Sequence, residues 1–118
     1  MTGTVGELLV QLRLLQFGVQ AAPPIKDSGN DLIAVRGSAF CAIQVKTTVG
    51  KTYSVQKLPE FYHLLAVVKV GGSGSKLSLD ESRIFLIPKP LVSDAPRRLD
   101  RIGRFKLCQE YIDFLFAV

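Results

Sequence analysis

The stretch that decides the fold runs from Asp31 to Thr48: Asp31-Leu32-Ile33-Ala34-Val35, then Arg36-Gly37-Ser38-Ala39, then Phe40-Cys41-Ala42-Ile43-Gln44-Val45-Lys46-Thr47-Thr48. Two runs rich in β-branched and aromatic side chains flank a polar, glycine-containing break, the pattern of two strands joined by a tight hairpin turn. With Gly37 and Ser38 as the loop, Arg36 pairs with Ala39, and counting back along both strands sets Asp31 opposite Gln44. Directly opposed residues share a face, with Cβ atoms about 4.5–5.5 Å apart. Lys46, two residues past Gln44, projects from that face as well. An acid, an amide oxygen and an ammonium therefore converge, while Leu32, Ala34, Ile43 and Val45 fill the opposite, core-facing side.

Outward from the hairpin, Thr4 to Phe17 carries Val5, Leu8, Leu9, Leu12 and Leu15 at the spacing of one helix face, with Gly18 as a left-handed stop. Val19 to Ala22 is β-compatible and ends at Pro23-Pro24, and Lys26 to Asn30 is a polar loop in which Asp27 reads as a turn residue. Val49 to Pro59 reads as a loop or extended strand end. Leu64 to Val70 is a dense Leu/Val run that fits a buried strand. Gly71-Gly72-Ser73-Gly74-Ser75-Lys76 lacks the spacing of a phosphate-binding loop and precedes no helix pattern, so it reads as a connector. Arg83 to Ile87 is a further strand stopped by Pro88. Phe105, Cys108, Ile112, Leu115 and Phe116 lie at helical spacing in a closing helix from Phe105 to Phe116. The expected order is helix, three strands, two more strands, helix.

A chain of 118 residues that is 47% hydrophobic is expected to form one domain over residues 1–118 with a proper core. The longest apolar run is interrupted by Lys69, which argues against a membrane span. Thr2, Gly3 and Thr4 follow Met1 without a basic segment, which argues against a secretory signal, and a cytoplasmic, prokaryotic setting is expected. Cys41 and Cys108 have no short spacing between them and are read as buried free thiols in a reducing compartment. The formal net charge of +5 suits a polyanionic partner. Arg97, Arg98, Arg101, Arg104 and Lys106 cluster against Asp94 and Asp100 alone. With Lys51 and Lys57 they form a candidate nucleic-acid surface, and a solvated basic helix face is the alternative.

Activating water against a phosphodiester with a divalent metal takes hard oxygen ligands, at least one of them anionic, and a nearby cation for the transition state. Asp31 supplies the anion, Gln44 a side-chain carbonyl, Val45 a backbone carbonyl and Lys46 the cation. Each alone has an ordinary reading: Asp as a turn residue, Gln-x-Lys as the wet side of an amphipathic strand. Glu7 on the first helix offers a second carboxylate. Thr4-Val5-Gly6-Glu7 also has the form of a capping box, and both readings stand. His63, the only histidine, has no Cys or His partner in the sequence and supports neither zinc chemistry nor a triad.

Glu on the first helix, a Gly-Val step into the first strand, Asp heading the second and Gln-Val-Lys-Thr on the third resemble the PD-(D/E)xK nuclease superfamily, closest to its group I intron-associated and homing-type endonucleases. The resemblance covers Thr4 to Thr48, and Leu64–Val70 followed by Ile84-Phe85-Leu86-Ile87-Pro88 looks like the closing strands of the same core. It implies an α/β, restriction-endonuclease-like core with a central mixed β-sheet flanked by helices, and an Mg²⁺-dependent endonuclease, with Mn²⁺ as a substitute, acting on DNA. It further implies that Asp31 is the principal metal ligand, Gln44 stands where Glu or Asp is usual, Lys46 is the catalytic lysine and Glu7 the helix acid. Two departures are plain: Asn30 replaces the proline that often precedes the aspartate, and Gln44 removes one negative charge from the metal shell. A non-catalytic nucleic-acid-binding module on the same scaffold is the alternative. One active site per chain cuts one strand at a time, so duplex cleavage implies a homodimer or higher assembly.

Overall fold

The computed structural model describes residues 2–25, 30–72 and 76–117, so Asp27 and Ser73 to Ser75 lie outside the described residues. Its elements run α1 (Thr2–Gln16), β1 (Gln20–Ala22), β2 (Leu32–Arg36), β3 (Ala39–Thr48), β4 (Leu64–Gly71), β5 (Ser78–Pro88), α2 (Lys89–Val92) and α3 (Gln109–Leu115). The five strands form one mixed sheet in the order β1-β2-β3-β4-β5. Only the β3–β4 pair is parallel. This is the α/β architecture expected from the sequence.

The hairpin register is as counted: Arg36 pairs with Ala39 and Leu32 with Ile43. Gly37 has φ 60° and no such value occurs at Ser38, the pattern of a type II′ turn, whose first central position needs the left-handed freedom of glycine. That turn matches the strand twist and propagates the register to Asp31, whose N–H donates to the Ile43 carbonyl at 3.2 Å.

Register sorts the core into two layers. Leu32, Ala34, Cys41, Ile43, Leu64, Ala66 and Val68 face α1 and α3, where they meet Leu9, Val10, Leu14, Ile112 and Phe116. Leu65, Val67, Phe85 and Ile87 face the other way, toward Tyr53, Tyr62, Val92, Leu99, Ile102 and Phe105. β4 and β5 are covered on both faces, which is why Leu64–Val70 reads as an unbroken apolar run. α1 and α3 lie on one face. α2 and the chain that follows it help to cover the other.

Four expectations are corrected. α1 buries Leu9, Val10 and Leu14, whereas Leu8 (58%), Leu12 (45%) and Leu15 (59%) are exposed. The helix is apolar on more than one arc, and packing against the sheet chooses between them. Because α1 begins at Thr2, Thr4 sits inside its first turn rather than at the cap, and the capping box with Glu7 is not built. Phe105 and the arginines before it occupy two short 3₁₀ turns, Leu99–Arg101 and Gly103–Phe105, so the basic run is not a helix face and α3 is shorter than expected. Cys41 is buried but Cys108, at the start of α3, is exposed. Among the described residues, no helix is long and apolar enough to cross a membrane.

Candidate active site

β2 begins one residue after Asp31, while β3 runs on past Gln44 to Thr48. On the side where β2 has ended, β3 presents the N–H and C=O of Val45 without a strand partner. Asp31 takes the first: its Oδ2 accepts the Val45 N–H at 2.7 Å. The carboxylate is thus fixed at the strand terminus, beside the middle residue of Gln44-Val45-Lys46. The Val45 carbonyl points to the same side, because the N–H and C=O of one strand residue share a direction.

Gln44 is 7% exposed, and among the described residues it alone is both polar and buried. Its Nε2 donates to Asn30 Oδ1 at 3.3 Å. Lys46 lies on the same sheet face, paired with Val67 of β4 as Gln44 is with Leu65. Its ammonium donates to the Gln56 carbonyl at 2.7 Å, leaving two of three donors for other acceptors.

Glu7 approaches from α1, on the opposite face. Gly6 lets the helix come close: a Cβ there would stand 1.9 Å from Thr47 Oγ1. Partial burial first, and the Asp31 charge second, hold the Glu7 carboxyl above its ordinary range. The expected convergence therefore has a different shape. Gln44 and Lys46 share one face, Glu7 comes from the other, and Asp31 stands in the gap at the end of β2, within electrostatic reach of Glu7.

Among the described residues, no group of three or more His, Cys, Asp or Glu side chains is gathered. A divalent cation here would draw on two carboxylates, Asp31 and Glu7, with the Gln44 amide oxygen and the Val45 carbonyl. These are hard oxygen donors of the kind Mg²⁺ takes. The Asp31 charge adds to the proton affinity of Glu7, and a cation beside the two would relieve it. In donor chemistry the set suits such an ion.

The expected nucleic-acid residues divide. Lys51, Lys57, Arg101 and Arg104 are exposed, with Arg104 over the Phe105 ring at 4.5 Å. Arg97 is committed to the fold: its Nη1 donates to the carbonyls of Val92 (2.9 Å) and Ala95 (2.5 Å). Lys51 and Arg98 line a cavity of about 270 Å³ together with Gly50, Leu99, Asp100, Lys69 and Arg83. Sequence reasoning missed the last two. The available signal was Lys69 itself, a cation interrupting an otherwise apolar strand.

The fold matches that of a bacterial homing endonuclease, I-Ssp6803I, with a TM-score of 0.64 over 97% of this chain and 88% of that one, at 13% sequence identity. The likeness is one of fold. No family model matches the sequence, and no curated protein does.

Proposed function

We propose that this protein is a metal-dependent DNA endonuclease of the PD-(D/E)xK type, with Asp31, Gln44 and Lys46 at its centre and Glu7 as the helix acid. The observation that carries this reading is the Asp31 carboxylate locked to the Val45 N–H, which anchors an acid against Gln-Val-Lys at the point where one strand outruns its neighbour. The fold shared with a homing endonuclease supports it. Mg²⁺, with Mn²⁺ as substitute, would be held by Asp31, Glu7, the Gln44 amide oxygen and the Val45 carbonyl. When bound, the ion supplies Lewis-acid activation of water and neutralises phosphate charge.

The chain's own residues do the rest. Asp31, oriented by the Val45 amide through one oxygen, would offer the other to the ion. Lys46, steered by the Gln56 carbonyl, points two N–H donors toward a phosphate oxygen, where its charge steadies the transition state. Asn30 Oδ1 accepts from the Gln44 amide and so holds that side chain at the head of β2.

A second reading is favoured by one observation: Gln44 is a buried amide where a carboxylate would give the site its full charge. It makes the protein a DNA-binding module without cleavage. Incubating plasmid and branched DNA with Mg²⁺ or Mn²⁺ beside Asp31→Asn separates the two. Cleavage by the wild type that the variant lacks supports the nuclease; retention of DNA without cutting under either ion supports the module. Double-strand cutting by one centre per chain calls for a homodimer or larger assembly. The exposed Leu8, Leu12 and Leu15 beside edge strand β1 offer apolar surface that a second copy would cover.

A further inference from the structure

The cavity lined by Lys51, Lys69, Arg83 and Arg98 is built, not incidental. Two backbone hydrogen bonds stitch its outer wall: Leu99 N–H to the Lys51 carbonyl at 3.0 Å and Tyr53 N–H to the Arg97 carbonyl at 3.1 Å. Its floor is the sheet, where Lys69 of β4 is directly opposite Arg83 of β5. Like charges in directly opposed positions repel and destabilise a strand pair, so this pairing works against the fold unless an anion joins it.

Internal compensation is slight. Lys69 donates to the Val49 carbonyl. Arg98 pairs with Asp100 at 3.1 Å, the cavity's one carboxylate. No ion pair or hydrogen bond engages the Lys51 ammonium or the Arg83 guanidinium among the described residues. Four cations against one anion leave the lining at +3.

Position then suggests the occupant. Thr48 pairs with Lys69, and Lys46 with Val67 two residues back, so Lys46, Lys69 and Arg83 project from one sheet face. From strand spacing and rise, the Cα of Lys69 lies roughly 8 Å, and that of Arg83 roughly 12 Å, from that of Lys46. This is on the order of one to two nucleotides, because successive phosphates are separated by their turn about the axis as well as by the rise along it.

We infer that this cavity binds a backbone phosphate of the DNA substrate, one or two nucleotides from the one held at Asp31 and Lys46, and so sets the strand's path across the sheet. The inference rests on the DNA-endonuclease reading above.

The test uses Arg83→Gln and Lys51→Gln in the Asp31→Asn background, titrated with a fluorescein-labelled duplex at several salt concentrations, with inorganic phosphate as a second probe. Both side chains are exposed, and removing Arg83 relieves the repulsion with Lys69, so melting temperatures should hold or rise. Each variant is expected to bind DNA several-fold more weakly, with the slope of log K against log salt smaller in magnitude by about 0.9 for the phosphate lost. DNA binding with unchanged affinity and slope in both variants overturns the inference and leaves the nuclease reading standing. Saturable inorganic phosphate binding lost in Arg83→Gln while DNA affinity is unaltered also overturns it, making the cavity a free-anion site. Failure of the Asp31→Asn parent to bind any DNA overturns both.

Discussion

The Asp31 carboxylate accepts the backbone N–H of Val45 at 2.7 Å, fourteen residues along the chain, so the acid that leads β2 and the residue between Gln44 and Lys46 are held as one unit. Asp31 therefore has a structural task besides the chemical one proposed for it, and the two can be separated. Asp31→Ala leaves a part-buried N–H unmet and should lower stability by about 1–3 kcal/mol in urea unfolding. Asp31→Asn keeps an acceptor oxygen and should lose less than half of that. Equal losses would mean that the charge, not the hydrogen bond, holds the site.

Gln44→Glu adds a buried carboxylate near Asp31. Without a divalent ion it should melt at a lower temperature than wild type, because like charges in a desolvated site cost stability. Added Mg²⁺ should raise its melting temperature by more than it raises the wild type's, and cleavage at low Mg²⁺ should be retained or increased. Identical metal dependence in the two proteins would exclude Gln44 as a ligand.

Gly6→Ala sets helix propensity against packing. Alanine gains up to about 1 kcal/mol in a helix interior. The new methyl meets Thr47, whose hydroxyl is buried without a partner among the described residues. Overpacking of this kind costs about 1–3 kcal/mol, so the net change is destabilising, and α1 must retreat and carry Glu7 from Asp31. Adding Thr47→Ala should restore most of the loss, a coupling that a double-mutant cycle in denaturant would read.

The two thiols should react at different rates. Burial pushes the Cys41 thiol up to about 12, whereas Cys108 is exposed. A thiol reagent at neutral pH should modify one equivalent in the native protein and the second only in denaturant. Two fast equivalents would show that α1 does not stay packed over β3.

Arg36 ties the hairpin to the last helix, its Nη1 meeting Asp113 Oδ1 at 2.6 Å and its Nη2 donating to the Phe116 carbonyl at 3.1 Å. The Arg36 hydrogen bond, then that from Gln109, holds the Asp113 carboxyl below its ordinary 3.8. A depressed acid stabilises the fold above its unfolded value and loses that contribution as pH falls through the folded one. Asp113→Asn should therefore melt slightly below wild type at pH 7, with the gap closing once the pH drops well below 3.8. A gap that persists in acid would assign it to packing.

The sequence by itself determined the hairpin and all that follows from counting along it. A two-residue glycine turn leaves one register, and a period of two then sets Asp31 across from Gln44 and puts Leu32, Ala34 and Ile43 in the core. Local chemistry of that kind is legible because turn type and strand pleat act over a few residues. Which arc of α1 is buried was not legible, since Leu8, Leu12 and Leu15 are as apolar as Leu9, Val10 and Leu14, and only contact with the sheet distinguishes them. Nor was the side from which Glu7 reaches Asp31, nor the cavity that unites Lys51 and Arg98 with Lys69 and Arg83. Those depend on a parallel β3–β4 pairing and on a long connection folded over the sheet, both made by contacts between residues far apart in the chain. Tertiary structure decided them because burial and charge proximity belong to neighbours in space, which spacing along a strand or helix does not name.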